Sequence, residues 1–482
     1  MGGRDGSGQG RHEGDRMSPF SRRAFLSATA LVVAGCSTAE NSLVLPTDPL
    51  VNRAEAARRG TGRTRAVTLT ATEGQVDLGG PVVRTWSYDG MLPGREIRVG
   101  AGDLIEARVA NRLPADTSVH WHGLALRNDM DGVPALTQAA IRPGEDFTYR
   151  FVAPVPGTYW FHPHTGTQLD RGLYAPLIVE DPAEPGAYDA EWVVVLDDWL
   201  DGTGTDPDEV LAGLRRRGGH MMHGGTALGG DVDHPHHLVN GRIASAPLTF
   251  AAKPRQRARI RLINAGADTA YRVALGGHRM TVTHTDGAPV VPVDTDALVI
   301  GMGERYDVLV TLADGVFPLV AVAEGKTGAG LAVVRTAVGT PPGPDVRPDE
   351  LRGEVVGQDE LKATAPLPSR QPDVVHRLEL TGGMMNYEWG INGRSDGLQR
   401  VRSGQRVRLE FRNATMMWHP MHLHGHTFQL NGPRKDTVIV LPGQTVACEF
   451  DADNPGQWMV HCHNAYHAEA GMMTVLGYEE RR

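Results

Sequence analysis

Two-residue turn signals recur along this chain with a period near 150 residues, and that period restricts the fold more than any other feature. Asp89-Gly90, Asn240-Gly241 and Asn392-Gly393 stand 151 and 152 residues apart. Such pairs favour tight turns because both residues tolerate positive φ. Each is followed by an Arg-rich alternating stretch ending in asparagine: Asp103–Asn111, Gln256–Asn264 and Gln405–Asn413. Apolar and polar residues in alternation predict half-buried strands. A chain of 482 residues is too long for one core. Three copies of an all-β unit therefore predict three sandwich domains, at 64–183, 186–343 and 373–482. The Pro- and charge-rich stretch 344–372 reads as a linker wrapping back.

A second correspondence joins only the first and third units. Pro143-Gly144, Phe151, Gly157 and His162-Pro-His164 reappear 299 residues later as Pro442-Gly443, Phe450, Gly456 and His461-Cys-His463. His120-Trp-His-Gly123 reappears 302 residues later as His422-Leu-His-Gly425. The middle unit lacks both pairs and reads as a spacer. On a strand, the two imidazoles of His-x-His face the same way. Two homologous units meeting about a pseudo-twofold axis would pool all eight. The axis exchanges His120 with His422, His122 with His424, His162 with His461, and His164 with His463. It permits one two-His metal site and a pair of three-His sites. All-imidazole ligation suits copper and is also compatible with zinc or iron.

The C-terminal stretch adds a thiolate. Cys462, His467 and Met472, with a second histidine from elsewhere, fit the trigonal Cys/His/His set with axial Met of an electron-transfer copper. If residues 458–463 form a strand, Cys462 faces opposite to His461 and His463. The backbone then joins one redox site to another, which favours a redox metal over zinc.

With these motifs in place, residues 64–482 resemble the three-domain bacterial multicopper oxidases of the laccase and cuprous-oxidase kind. Four signatures carry the resemblance: His120-Trp-His-Gly123, Trp160-Phe-His-Pro-His164, His419-Pro-Met-His-Leu-His-Gly425 and His461-Cys-His-xxx-His467-xxxx-Met472. It implies an all-β fold of three consecutive cupredoxin-like Greek-key β-sandwich domains and four copper ions. His419, Cys462 and His467, with Met472 axial, would hold the type 1 copper, and His120 with His422 the type 2. One type 3 copper would take His122, His162 and His463, the other His164, His424 and His461. The implied reaction couples four one-electron oxidations of phenols or aromatic amines to reduction of dioxygen to water. Cu(I) is the alternative reductant. His419 is expected to form the edge facing the reductant, and the axial Met to keep the potential low to moderate.

Asp131 matches the acidic residue that lies near the type 2 copper in relatives, although an Asp before Gly also caps turns. Several bacterial relatives carry Glu directly after the last type 1 histidine. Here that position is Ala468, and Glu469 follows it. Glu469 replaces the missing acid only if the loop turns it inward. Copper nitrite reductase shares the thiolate site but needs no paired three-His sites, and a copper store needs no Cys between two ligand histidines.

Other residues carry weaker signals. His220-Met-Met-His223 and His234-Pro-His-His237 lie in a Gly-rich stretch and read as a flexible loop with incidental His and Met. The alternative is an extra labile copper site. Met384-Met385, Met416-Met417 and Met421 line the surface near His419 or fill core gaps. Asp197 and Asp198 read as solvated or structural. His426 reads as supporting or core, and His278, His284 and His376 as packing or surface.

A net charge of −9 gives no basic footprint for nucleic acid. Ser21-Arg22-Arg23 followed by the apolar run Ala24–Ala34 resembles a twin-arginine export signal. Val33-Ala34-Gly35-Cys36 resembles a lipobox, which implies a lipid anchor on Cys36. Residues 1–36 are thus an export signal and 37–63 a tether, and the mature monomer works outside the cytoplasm. Of three cysteines, Cys448 has no partner and is expected as a buried free thiol.

Overall fold

The computed structural model describes residues 41–181, 184, 187–217, 229–394 and 396–481. The expectations for the twin-arginine and Cys36 motifs, and for His220 to His223, fall outside these residues. Six sheets pair into three sandwiches along the chain.

Each sandwich is built around the same pair of strands. The first strand of the unit runs parallel to the Arg-rich strand: Thr64–Thr72 beside Leu104–Arg112, Ala190–Leu196 beside Ala258–Asn264, and Val374–Leu380 beside Val407–Asn413. A later strand then pairs antiparallel on the other side, at Asp146–Val152, Arg305–Thr311 and Thr445–Asp451. The parallel neighbours arise because the intervening chain crosses to the second sheet first. Apolar residues of both sheets close one core in the first unit, with Leu69, Ile105 and Phe151 from one and Trp121, Phe161 and Leu177 from the other. The chain is thus all-β, with three cupredoxin-like sandwiches.

The repeated turn and the repeated asparagine each do one job three times. Asp89, Asn240 and Asn392 all have positive φ, as does the glycine after each. Their side-chain oxygens accept from the backbone N–H of Thr70, Val195 and Glu379. Asn111, Asn264 and Asn413 end their strands fully buried, and each Nδ2 donates to two carbonyls. Each Oδ1 accepts from a backbone N–H two residues on. The asparagine thereby satisfies the backbone where the ladder stops.

The expected tether is an ordered segment over its described residues instead. Within 37–63, Asn41–Leu43 pairs antiparallel with Glu479–Arg481, and Pro49–Ala56 forms a helix capped by Asp48. Val44 and Val51 are buried in the third domain's core, and that apolar burial is what turns an expected tether into structure. The stretch 344–372 packs back through Leu351 and Leu361, joining Pro289 to Gly432 by backbone hydrogen bonds at Thr364 and Ala363.

Candidate metal centres

The first and third domains bring their His-x-His strands together. His120–His122 pairs with Gly157–His162, placing His120 opposite His162. His419–Leu423 pairs with Gln457–Cys462, placing His422 opposite His461 and Met421 opposite Cys462. All eight imidazoles are buried and converge. Four rings stack across the interface in two related pairs: His120 on His424 at 3.8 Å, and His122 on His422 at 3.9 Å. An axis exchanging His120 with His422 and His122 with His424 turns one stack into the other.

Within this cluster the nitrogens of His122, His162 and His463 lie within 4.8 Å of one another, as do those of His164, His424 and His461. His120 and His422 share a third group with His122. Buried ring atoms stand without hydrogen-bond partners at His120 Nε2, His422 Nε2, His122 Nδ1, His162 Nε2 and both nitrogens of His463. Orphaned buried nitrogens are costly unless something binds them. Burial first, and neighbouring imidazoles second, depress the pKa of His122, His162, His424, His461 and His463 well below the ordinary value. The rings are neutral, which is the form that ligates a metal.

The second centre is smaller. Cys462 Sγ lies 3.7 Å from Nδ1 of His419 and 3.7 Å from Nδ1 of His467, and those nitrogens are 3.1 Å apart. This triangle suits one ion with two nitrogens and one sulfur in its plane. Met472 is fully buried beside it in sequence, its backbone carbonyl accepting from Cys462 N–H.

Two carboxylates orient these rings, Asp131, which the sequence singled out, and Asp436, which it did not. His120 donates from Nδ1 to the carbonyl of Asp131 at 2.8 Å, and His422 to that of Asp436 at 2.9 Å. The Asp131 carboxylate accepts from His424 Nδ1 at 2.9 Å, and that of Asp436 from His122 Nε2 at 3.2 Å. Asp131 therefore has a pseudo-symmetric partner. Against the cost of burial, the Arg305 guanidinium, bonded to both oxygens, holds Asp436 well below the usual carboxylate range.

The middle domain, read as a spacer, supplies part of both centres. It contributes Arg305, and a Cβ at Gly303 would lie 2.8 Å from Cδ2 of His463 and 3.0 Å from Cε1 of His122. Asp231 accepts from Nε2 of His467, and Tyr387 O–H donates to the same oxygen. Burial opposes charge on His467, but Asp231 overrides it and raises the imidazole to about 10. Isolated acids in unrepeated loops gave no pattern to find.

Two further expectations change, and two left as alternatives are resolved. His419 is fully buried, with Nε2 2.8 Å from Oγ1 of Thr415, so it presents no open edge to a reductant. Asp197 and Asp198 are buried rather than solvated: Tyr174 donates to Asp197, and the N–H groups of Ala267 and Asp268 to Asp198. His234 and His237 are buried and bonded rather than incidental residues of a flexible loop, His234 between Asp170 and Asp198, and His237 bonded to Tyr271. Met385 and Met416 are 88% and 74% exposed, whereas Met417 and Met421 are buried.

Glu469 ends the helix Ala465–Glu469, half-buried, with its carbonyl accepting from Arg215. His426 bonds the His424 carbonyl and Tyr478. Cys448 is a buried free thiol.

Two neighbouring metal centres on three cupredoxin-like domains, one with a thiolate and one all imidazole, define a copper-dependent oxidoreductase. Three family models, each described as multicopper oxidase, match residues 70–184, 190–338 and 369–482, and the chain belongs to that family. It is 50% identical to Multicopper oxidase MmcO of Mycobacterium tuberculosis, over 95% of this chain and 97% of that one. Copper resistance protein A of Escherichia coli is 28% identical over 95% of this chain and 99% of its own. Among solved structures, the L499M mutant of the B. aclada laccase superposes with a TM-score of 0.77 at 26% identity, covering 92% of this chain and 93% of its own.

Proposed function

We propose that this multicopper oxidase takes single electrons from electron-rich phenols or aromatic amines and passes them to dioxygen, reducing it to water. His419, Cys462 and His467, with Met472, would hold a type 1 copper. His120 and His422 would hold the type 2, and the sets His122/His162/His463 and His164/His424/His461 the type 3 pair. Four bound coppers would supply one-electron chemistry at the thiolate and a place for dioxygen to gain four electrons among the imidazoles. The observation that carries this reading is covalent: Cys462 belongs to one centre, and its neighbours His461 and His463 belong to the other.

The chain's own groups do the rest. Asp131 and Asp436 fix which ring nitrogens carry hydrogen, and so which are free to ligate. Asp131 is the acid we assign to proton delivery, since its carboxylate reaches a ring of the cluster. Glu469 is a second candidate, from the half-buried end of its helix.

The test is oxidation of 2,6-dimethoxyphenol by the copper-loaded protein with no added copper, with four electrons consumed per dioxygen. Cys462→Ser should abolish the intense blue absorption and turnover while most other copper stays bound. Turnover surviving that change sinks the electron path.

A second reading, oxidation of Cu(I) in copper tolerance, draws support from the exposed thioethers of Met385 and Met416. Two relatives named copper resistance protein A point the same way. Activity on phenols that appears only with excess Cu(II) would favour it. We further propose export by the twin-arginine route, a lipid on Cys36 and a monomeric mature protein. Loss of membrane association in Cys36→Ala and loss of export in Arg22→Lys/Arg23→Lys test the first two, and sedimentation tests the third.

A further inference from the structure

Both imidazoles of the thiolate centre are shut away from solvent, His419 at 0% and His467 at 0% exposure. Their outward nitrogens are occupied by Thr415 and Asp231. Any electron arriving from a reductant therefore crosses other protein atoms first. The side chain laid against both rings is Trp389. Its centroid is 4.2 Å from that of His467 at an interplanar angle of 36°, and 5.3 Å from that of His419. It is 5% exposed, more than either ring it covers.

The local backbone is arranged for that indole. Trp389 sits on the strand Glu388–Ile391, opposite Gly382. At Gly382, with φ of +121°, a Cβ would fall 2.8 Å from Cα of Trp389 and 2.9 Å from its Cε3. Only glycine leaves this space to the ring. The Trp389 N–H donates to the carbonyl of Ala470, in the loop between His467 and Met472. Its Nε1 is buried without a partner, so the ring is held by π contact rather than by a side-chain hydrogen bond.

We infer that Trp389 is the electron-uptake contact of this protein, the π surface through which a reductant docked outside couples to His467 and His419. The inference rests on the reading of Cys462, His419 and His467 as the centre that accepts electrons. One electron leaves the reductant and one arrives at that centre. No bond forms or breaks at the indole, and no proton moves there. Asp231 offers the competing route, through its hydrogen bond to His467.

Copper-loaded Trp389→Leu, Trp389→Phe and Asp231→Asn proteins decide between the two routes. For each, the blue absorption, the copper EPR spectrum and the midpoint potential are recorded, and then the anaerobic single-turnover bleaching rate with 2,6-dimethoxyphenol. In Trp389→Leu the bleaching rate should fall by about ten-fold or more, with the spectra and potential of the parent retained. Trp389→Phe, which keeps a smaller ring, should fall in between. If Trp389→Leu fails to load copper, the graded loss in Trp389→Phe at unchanged potential carries the test. Bleaching within two-fold of the parent in both Trp389 variants, or slowing explained wholly by a changed potential, overturns the inference, as does slowing confined to Asp231→Asn. A parent protein without any blue absorption would instead refute the proposed function.

Discussion

Asp231, on a loop of the middle domain, accepts a hydrogen bond from Nε2 of His467, in the third domain, at 2.7 Å. The bond fixes the ring so that Nδ1 faces Cys462. A sandwich without a metal-binding motif of its own thus determines how a ligand in another domain is presented.

Removing that carboxylate should loosen the thiolate centre. In Asp231→Ala, copper affinity at this site should fall by about ten- to a hundred-fold. Tyr387 then loses its acceptor as well. Copper titration followed at the blue absorption measures this, and unchanged affinity would show that packing alone orients His467.

Asp131 and Asp436 make matched contacts to the imidazole cluster, and they should fail differently. Asp131→Asn keeps the backbone carbonyl that holds His120 and removes the carboxylate bonded to His424. Asp436→Asn also takes from the buried guanidinium of Arg305 the carboxylate bonded to two of its nitrogens, leaving it Asp286 at 3.6 Å. Breaking a buried ion pair costs up to about 3–5 kcal/mol, so Asp436→Asn should lower the thermal midpoint more than Asp131→Asn does. Calorimetry of both metal-free variants gives the comparison.

The strand-ending asparagines predict a stability effect remote from either centre. Asn264→Ala removes three buried hydrogen bonds and leaves the carbonyls of Thr269 and Ile300 without that donor. A loss of about 2–4 kcal/mol follows from stranding buried polar groups. Denaturant unfolding of the metal-free protein should show it, and Asn111→Ala should show a similar loss.

Acid stability should depend on Asp198. Burial would raise its pKa, but His234 and Lys326 override that and hold it at about 2, below the usual carboxylate value. The unfolded chain binds this proton more readily, so the contribution is present above about pH 4 and is lost as pH falls toward 2. It amounts to about 2 kcal/mol. Asp198→Asn should therefore narrow its stability gap to the parent as the pH drops, read from urea midpoints between pH 3 and 6.

What could be read in advance was what repeats. Asn240-Gly241 and Asn264 have counterparts in each unit because every sandwich needs the same turn and the same ladder end. His120 and His422 have counterparts because a pseudo-twofold site uses each ligand twice. Asp231 and Asp436 stayed hidden because carboxylates are common in loops, and only the docking of domains reveals which imidazole each will meet. His419 was misjudged for a related reason. Its exposure is set by the turn that brings Thr415, four residues before it, back onto the ring and by Trp389 from another strand. Val44 and Val51 were too few apolar residues to announce a docked segment before the surface that receives them was known.

The reach of the middle domain into both centres bears on the order of maturation. Gly303, Arg305 and Asp231 arrive at the ligands only once that sandwich has docked between its neighbours. Metal capture then becomes the closing step of biogenesis, and a nascent chain interrupted after its second sandwich would hold four of the ten ligand histidines and no finished pocket.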